Sequence, residues 1–355
     1  MSDELLSRRV LLAAAAATPA IPTLLASDRI AIFSPPPERI RIATIGFPFD
    51  AAEVRQMQSQ GKNIEMTVTK SPEELDRLLP EVDVVFGALK PEMLARAKNL
   101  RWMQHTEAGM DTVLFPELVK SPVVVTNMSR MFAPAISETA IAMLLSLTRG
   151  LSKYYIPQFA QKKYVSERNL VEVDGMTMGL VGLGGLGTAT AQRAHYGFNM
   201  RILAVDAKPM VKPIFVDTLR EPGWFAEMVP QVDVLVNSVP LTRETAGMFN
   251  EKVFRAMKKS AYFLSISRGP VVDQTALVRA LQEGWIAGAG LDVTVPEPLP
   301  PDSPLWDCPN TVITCHTAGF SPQRRIRQMS LIAENVRRYA SGLPLMNVVD
   351  KVRGY

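Results

Sequence analysis

The chain has 355 residues, of which 47% are hydrophobic and 21% charged, and its formal net charge is +4. This length fits two domains better than one, and the composition is that of a folded globular protein rather than a disordered one. The basic residues occur as scattered pairs instead of one stripe, which indicates solvated surface charge and argues against a nucleic-acid partner.

The first 26 residues have the layout of an export signal. Arg8 and Arg9 precede an apolar run, which two prolines and several small residues then follow. We interpret residues 1–26 as a cleaved twin-arginine signal and expect a periplasmic protein. The alternatives are an uncleaved anchor and an ordinary N-terminal helix of a cytoplasmic protein. Residues 10–26 are short for a membrane span and no later segment is suitable, so we expect no stable span after signal removal.

Residues 27–39 are interpreted as a linker, and a small α/β unit follows. Short β-branched runs predict strands at 40–45, 82–86, 101–104 and 123–126. Ser71, followed by Pro-Glu-Glu, predicts the start of a helix over 71–79. Residues 135–149 are apolar over so much of the helix surface that we expect burial on more than one side, between two domains or against a second subunit.

A second block begins at Gly175. It has strand-like runs at 178–181, 201–205, 232–237, 261–266, 287–293 and 311–314. Helical stretches separate most of these runs, and this alternation predicts a parallel, doubly wound sheet. Residues 324–340 then form a helix with one apolar stripe, which we expect to return to the first block.

A glycine-rich loop joins the first strand of this block to the helix that follows. In such a loop the first glycine permits a tight turn, the second lets a pyrophosphate approach the backbone, and the third lets helix and strand pack closely. The loop residues are Gly182, Gly184, Gly185, Leu186 and Gly187. Asp206 ends the next strand, where a carboxylate accepts hydrogen bonds from the ribose of NAD and repels the 2′-phosphate of NADP. The pattern therefore predicts an NAD site.

Three successive predicted strands of this block end in charged or titratable residues. Arg268, Glu297 and His316 follow the strands at 261–266, 287–293 and 311–314. Ligands of open α/β sheets bind beyond the carboxyl ends of the strands, so this trio indicates a catalytic site. Of the other two histidines, His195 is expected on the surface, and His105 ends a strand without an acid that marks it as a base.

Together these motifs resemble the D-isomer-specific 2-hydroxyacid dehydrogenase family over about residues 40–349. The matching pieces are the glycine loop, Asp206, Ser267-Arg-Gly-Pro-Val-Val-Asp273, Leu291-Asp-Val with Glu297, and Thr314-Cys-His316. The resemblance implies an α/β fold of two Rossmann-like, doubly wound domains. A discontinuous, flavodoxin-like substrate domain would comprise 40–148 and 318–355, and an NAD-binding Rossmann domain 149–317. It also implies a homodimer formed through the apolar helix.

The resemblance further implies a role for each site residue. Arg268 would bind the carboxylate and carbonyl oxygen of a small 2-oxo acid, and backbone N–H groups around Ala108 and Gly109 the other carboxylate oxygen. His316 would give the proton to the carbonyl oxygen, and Glu297 would orient the imidazole. Asp292 would contact the nicotinamide carboxamide. The implied NAD contacts, besides the glycine loop and Asp206, are Val239, Pro240, Thr245, Ser267, Arg268, Asp292 and His316.

The chain departs from the family pattern at three positions. Cys315 stands where the family usually has proline, Ser265 where it often has asparagine, and Glu107 brings an anion beside the carboxylate-binding loop. Neither Cys315 nor Cys308 is part of a Cys-x-x-Cys pair, so we expect unpaired, buried thiols and no metal site.

Family frequency favours glyoxylate or hydroxypyruvate as the substrate. One alternative is an NAD(H)-binding interaction or sensor protein on the same scaffold, although such a protein would need none of the catalytic trio. The other is a dehydrogenase of a phosphorylated hydroxy acid, although residues 105–112 hold no basic cluster.

Overall fold

A computed structural model describes residues 38–164, 166 and 169–355. The predicted export signal at 1–26 and most of the predicted linker lie outside these residues. The described part of the chain forms two parallel β-sheets, each covered by helices, and the two sheets belong to two adjacent units. No helix among these residues has both the length and the apolar character needed to cross a bilayer.

The first unit is built on a parallel sheet with the strand order β2-β1-β3-β4-β5. This is the flavodoxin-like order that the family resemblance implied. Its elements are β1 (Ile40–Thr44), α1 (Ala51–Gln58), β2 (Ile64–Val68), α2 (Pro72–Leu78), β3 (Val84–Phe86), α3 (Pro91–Arg96), β4 (Trp102–Gln104), α4 (Pro116–Lys120) and β5 (Val124–Thr126). Ser71 caps α2 as predicted, since its side chain accepts a hydrogen bond from the Glu74 N–H at 3.2 Å. Strand β2 was not predicted, because it is an edge strand with only one buried residue.

Helix α5 (Ala133–Thr148) connects the two units. Ile136 packs against the core of the first unit, whereas Ala140, Met143, Leu144 and Leu147 are part of the core of the second. The helix therefore contacts both units, as its apolar character predicted. A π-helical turn (Leu151–Tyr155) and α6 (Ile156–Gln161) follow, and Ile156 and Phe159 are exposed there.

The second unit has a parallel sheet with the strand order β12-β11-β10-β9-β6-β7-β8. The order reverses between β6 and β9, which places a topological switch point at the carboxyl end of β6. The elements are β6 (Thr177–Val181), α7 (Gly185–Phe198), β7 (Arg201–Val205), β8 (Thr218–Arg220), α8 (Phe225–Met228), β9 (Val234–Asn237), α9 (Glu251–Ala256), β10 (Tyr262–Ser265), α10 (Gln274–Gln282), β11 (Gly288–Leu291) and β12 (Thr311–Ile313). The three-residue edge strand β8 was not predicted.

Helix α11 (Pro322–Ala340) returns to the first unit, as predicted. Its apolar stripe, which includes Ile332 and Val336, is buried in the same core as Trp102, and the Tyr339 ring lies 5.4 Å from the Trp102 ring. Further along, Lys351 Nζ donates hydrogen bonds to the carbonyl oxygens of Leu118, Ser121 and Val123. The last part of the chain is therefore fixed to the first unit.

Candidate active site

His316 and Glu297 form a hydrogen-bonded pair beyond the carboxyl ends of β12 and β11. His316 Nδ1 lies 2.7 Å from Glu297 Oε2, and the other carboxylate oxygen accepts a hydrogen bond from the Thr294 N–H at 3.0 Å. The two side chains are 45% and 37% exposed, so the pair is accessible to solvent. With Nδ1 bound to the carboxylate, Nε2 is the nitrogen available to a ligand.

Asp292 holds the loop that carries His316. Its Oδ1 accepts hydrogen bonds from the Thr314 hydroxyl at 2.6 Å and from the N–H groups of Thr317 and Ala318 at 3.1 and 3.2 Å. The Asp292 carbonyl also accepts from the His316 N–H at 2.9 Å. Because His316 has a left-handed backbone with φ 55°, this loop needs such support. The observed contacts of Asp292 are thus structural, and its predicted contact with a nicotinamide stays a prediction.

Arg268 reaches from the end of β10 to the loop that follows β4 in the first unit. Its Nε lies 3.2 Å from Asp111 Oδ1, and its Nη1 donates to the Ser267 carbonyl at 3.0 Å. A Cβ atom at Gly109 would collide with Arg268 Nη2, so only glycine leaves room for the guanidinium at this point. Of the predicted substrate residues, Gly109 of the first unit and Arg268 of the second therefore lie in contact, and Ala108 immediately precedes Gly109 in the same loop.

His105 lies buried behind this loop and is only 8% exposed. Burial lowers the pKa of His105, and the nearby Arg268 lowers it further, while a backbone hydrogen bond with Gly109 and the charge of Asp111 act in the opposite direction. His105 Nδ1 has no hydrogen-bond partner among the described residues. A neutral, buried imidazole supports the loop and is poorly suited to proton exchange with a substrate.

Glu107, which the sequence singled out as a departure, is paired. Its Oε1 accepts a hydrogen bond from Arg324 Nη2 at 2.6 Å, and Arg324 also lies over the rings of Phe132 and Phe320 at 4.8 and 5.0 Å. The extra anion beside the substrate loop is thereby neutralised.

The glycine loop fits a dinucleotide pyrophosphate. Gly182 has φ 92°, a Cβ atom at Gly187 would collide with the Gly182 carbonyl, and a Cβ atom at Gly184 would meet open space. Helix α7 begins at Gly185 without a side-chain cap, so the backbone N–H groups of its first turn remain available for an anion. The loop thus leaves an open cradle at the switch point of the sheet.

Asp206 stands at the end of β7, next to this cradle. One carboxylate oxygen accepts from the Leu183 N–H at 2.6 Å and the other from the Lys208 N–H at 2.7 Å. Tyr355 approaches the same region, since Lys208 Nζ lies 4.2 Å from its ring centre. Burial raises the pKa of Tyr355, and the negative charges of Asp206, Asp350 and Glu244 raise it further.

Of the other predicted cofactor residues, some lie next to the glycine loop and others make contacts within their own loops. A Cβ atom at Gly182 would lie 3.1 Å from Val239 Cγ1, so Val239 adjoins the loop. The Thr245 hydroxyl donates to the Pro240 carbonyl at 2.6 Å, within its own loop. Ser267 Oγ is buried and has no hydrogen-bond partner among the described residues. The predicted contacts of these four residues with a cofactor remain predictions.

Several supporting residues were not predicted. The Ser238 hydroxyl bonds with the carbonyls of Val181 and Gly182 at 3.0 and 2.8 Å and so fixes the start of the glycine loop. Thr294 acts through its backbone N–H, which residue type does not reveal, whereas Asp111 lies only two residues after the predicted substrate residue Gly109.

The remaining sequence expectations concern histidine and cysteine. His195 is half-buried, and its Nδ1 lies 3.2 Å from the Met200 carbonyl, so it is not a free surface residue. Both cysteines are unpaired, but only Cys308 is buried; Cys315 is exposed, which corrects the expectation of two buried thiols. Among the described residues no cluster of His, Cys, Asp and Glu side chains has the arrangement of a metal site.

Comparisons with known proteins agree with this geometry. A family model described as D-isomer specific 2-hydroxyacid dehydrogenase, NAD binding domain, matches residues 141–318. A glyoxylate reductase of Thermofilum pendens is 35% identical over 291 residues, covering 75% of this chain and 80% of that protein. A solved structure of an NADPH-dependent glyoxylate/hydroxypyruvate reductase from Sinorhizobium meliloti, in complex with NADP and sulfate, has a TM-score of 0.75 at 26% identity. It covers 89% of this chain and 100% of that chain.

Proposed function

The chain belongs to the D-isomer specific 2-hydroxyacid dehydrogenase family, and we propose that it reduces a 2-oxo acid of the size of glyoxylate or hydroxypyruvate. It is an oxidoreductase that interconverts 2-oxo and 2-hydroxy acids with NAD(P). The observation that carries the assignment of roles is the meeting of Arg268 and Gly109 across the cleft, with the His316–Glu297 pair at the same sheet edge.

Arg268 binds and orients the substrate. Its planar guanidinium can donate to the carboxylate and to the carbonyl oxygen at once, and this contact polarises the carbonyl. Asp111 holds the guanidinium through Nε at 3.2 Å, which leaves the other edge of the group for the substrate. Gly109 adjoins the same guanidinium, and the backbone N–H groups at Ala108 and Gly109 are the proposed donors for the second carboxylate oxygen.

His316 moves the proton. Because Nδ1 is bound to Glu297, Nε2 is the nitrogen left for the substrate, so in reduction Nε2–H gives its proton to the carbonyl oxygen and in oxidation Nε2 takes it back. Glu297 accepts from both Nδ1 and the Thr294 N–H, which fixes the ring in one orientation. The bound dinucleotide supplies or accepts the hydride at the substrate carbon.

We propose NAD as the preferred dinucleotide. The Asp206 carboxylate lies at the end of β7, where the ribose of a dinucleotide is bound in this type of domain, and its charge repels a 2′-phosphate. The solved relative from Sinorhizobium meliloti is NADPH-dependent, so the preference needs its own measurement. The KM values for NADH and NADPH provide this measurement. Asp206→Ala is expected to bring the two KM values closer together.

The proposed reaction is tested with the purified protein. NADH loss is followed with glyoxylate, hydroxypyruvate, pyruvate and a phosphorylated 2-oxo acid, and any nucleotide that purifies with the protein is identified. We expect turnover with the first two substrates and its collapse in His316→Ala with little change in NADH affinity. Nucleotide binding without turnover on any acid would instead favour the binding-protein alternative, and full activity of His316→Ala would refute the role of the histidine.

We also propose a homodimer formed through α5 and the segment that follows it. Ala142 on α5 is exposed, Ile141 and Leu145 are only partly buried, and Ile156 and Phe159 on α6 are 64% and 79% exposed. An apolar surface of this kind is typical of a subunit interface. Light scattering of wild type and of Phe159→Asp tests the proposal.

Export by the twin-arginine route remains a proposal that rests on Arg8 and Arg9. Replacing both with lysine is expected to retain the protein in the cytoplasm, as fractionation of the cells would measure.

A further inference from the structure

Arg130 has a backbone conformation that arginine rarely adopts. Its φ is 72°, in the left-handed region that favours glycine. The turn is imposed from both sides, because Asn127 Oδ1 accepts from the Ser129 N–H at 3.0 Å and Asn347 Nδ2 donates to the Ser129 carbonyl at 2.9 Å. The turn therefore requires the left-handed backbone at position 130, but it does not require an arginine side chain.

The same residue of the first unit contacts the glycine loop of the second. A Cβ atom built at Gly185 would lie 2.8 Å from Arg130 Cγ and 3.0 Å from Arg130 Cα. Gly185 is the first residue of α7, whose N–H groups and helix dipole form the positive end of the helix. The start of the Arg130 side chain thus lies against the cradle described above.

A cation at this place has no internal compensation. Arg130 forms no ion pair or side-chain hydrogen bond with any of the described residues, and its side chain is exposed. The α7 end is positive, and so is the arginine whose side chain begins against it, so this placement of Arg130 is unfavourable without an anion. A pyrophosphate bound at the α7 N-terminus would interact favourably with both.

From these observations we propose that Arg130 is a cofactor-positioning residue, which binds the dinucleotide pyrophosphate from the side opposite α7. The inference rests on the proposed dinucleotide site. Because Arg130 comes from the first unit and the glycine loop from the second, the pyrophosphate would connect the two units. Cofactor binding would thereby help to hold the Gly109 loop close to Arg268.

The test is the substitution Arg130→Gly, because it separates a ligand contact from a structural role. Glycine adopts φ 72° without strain, so the ligand-free protein is expected to keep its Tm or to gain about 2 °C. Loss of a charge-assisted hydrogen bond to phosphate is expected to raise the Kd for NADH about tenfold. The Kd for ADP-ribose, which has the pyrophosphate but no nicotinamide, should rise by the same factor. Both are measured by calorimetry.

Two further variants make the result specific. Arg130→Gln keeps a polar side chain at the strained backbone but removes the charge and the guanidinium fork, so it should also weaken binding. Lys162→Gly is the matched control, because Lys162 is also a cation with a left-handed backbone, φ 51°, but ends α6. Helix α6 follows Tyr154, which lies near Tyr262 at the start of β10. The cradle is at the opposite edge of that sheet, so Lys162 is placed away from it. Lys162→Gly should leave both Kd values unchanged.

The outcomes are distinguishable. If wild type binds neither NADH nor ADP-ribose, the proposed function itself fails. If wild type binds both and Arg130→Gly binds them equally well, only the role of Arg130 is refuted. If Arg130→Gly has a higher Kd and the Tm of its ligand-free form also falls clearly, the role of Arg130 is structural and the proposal is overturned.

Discussion

Glu297→Gln provides the sharpest test of the proposed catalytic pair. The Glu297 carboxylate accepts one hydrogen bond on each oxygen, from His316 Nδ1 at 2.7 Å and from the Thr294 N–H at 3.0 Å. Glutamine has only one acceptor oxygen. If that oxygen keeps its bond to the Thr294 N–H, the amide NH₂ faces His316 Nδ1 and can bond to it only when Nδ1 carries no proton. In the charged imidazolium Nδ1 carries a proton, so two donors would face each other.

The size of the effect follows from the two interactions that are lost. A hydrogen bond to a charged partner contributes about 1.5–3 kcal/mol. The attraction between two unit charges 4 Å apart is about 1 kcal/mol in water and about 4 kcal/mol near a protein surface. Because both side chains are more than one third exposed, the lower value is appropriate. A total of roughly 2.5–4 kcal/mol corresponds to a fall in kcat of roughly 10²–10³-fold.

The assay is steady-state NADH oxidation with glyoxylate, together with the NADH Kd. The matched control is Glu81→Gln, which removes one partner of an exposed ion pair with Arg41 at 3.1 Å and should leave kcat unchanged. Glu297→Asp tests whether the carboxylate must reach His316 Nδ1, because it keeps the charge on a shorter side chain. A kcat for Glu297→Gln within threefold of wild type, at normal NADH affinity, would refute the proposed role of the pair.

Three further predictions concern stability and reactivity. Burial lowers the pKa of His105 below its usual value near 6.5, so the unfolded chain binds this proton at a higher pH than the folded protein does. Stability should therefore fall as the pH drops from 6.5 through the lowered pKa, and His105→Asn should flatten that part of a Tm–pH curve. Lys351→Met leaves three carbonyl oxygens without their donor and should reduce the free energy of unfolding by about 1–3 kcal/mol in urea titrations, unless water replaces the ammonium. Iodoacetamide should modify the exposed Cys315 and inactivate the enzyme. Mass spectrometry should find Cys308 unmodified, because burial raises the pKa of its thiol. Equal inactivation of Cys315→Ala would contradict this prediction.

Much of the fold was predictable because its signals are local. The glycine loop with Asp206 predicted a dinucleotide site, which the strand order then placed at the switch point of the second sheet, and the strand ends predicted Arg268, Glu297 and His316 at one edge. Strands β2 and β8 were missed because both are short edge strands without a continuous apolar run. The exposure of Cys315 was also missed, since it depends on how the loop after β12 is held rather than on the residues next to it.

The amino-acid sequence by itself determined the domain type and the dinucleotide loop, and it predicted the catalytic trio, because each is encoded by residue type at short spacing or at the end of a predicted strand. Only the tertiary structure decided what these groups contact. It brought Gly109 against Arg268, neutralised Glu107 with Arg324, and used Asp292 to support the His316 loop. It also placed Arg130 beside Gly185. Contacts of this kind join residues far apart in the chain, some within one unit and some between the two units, and no local pattern records them.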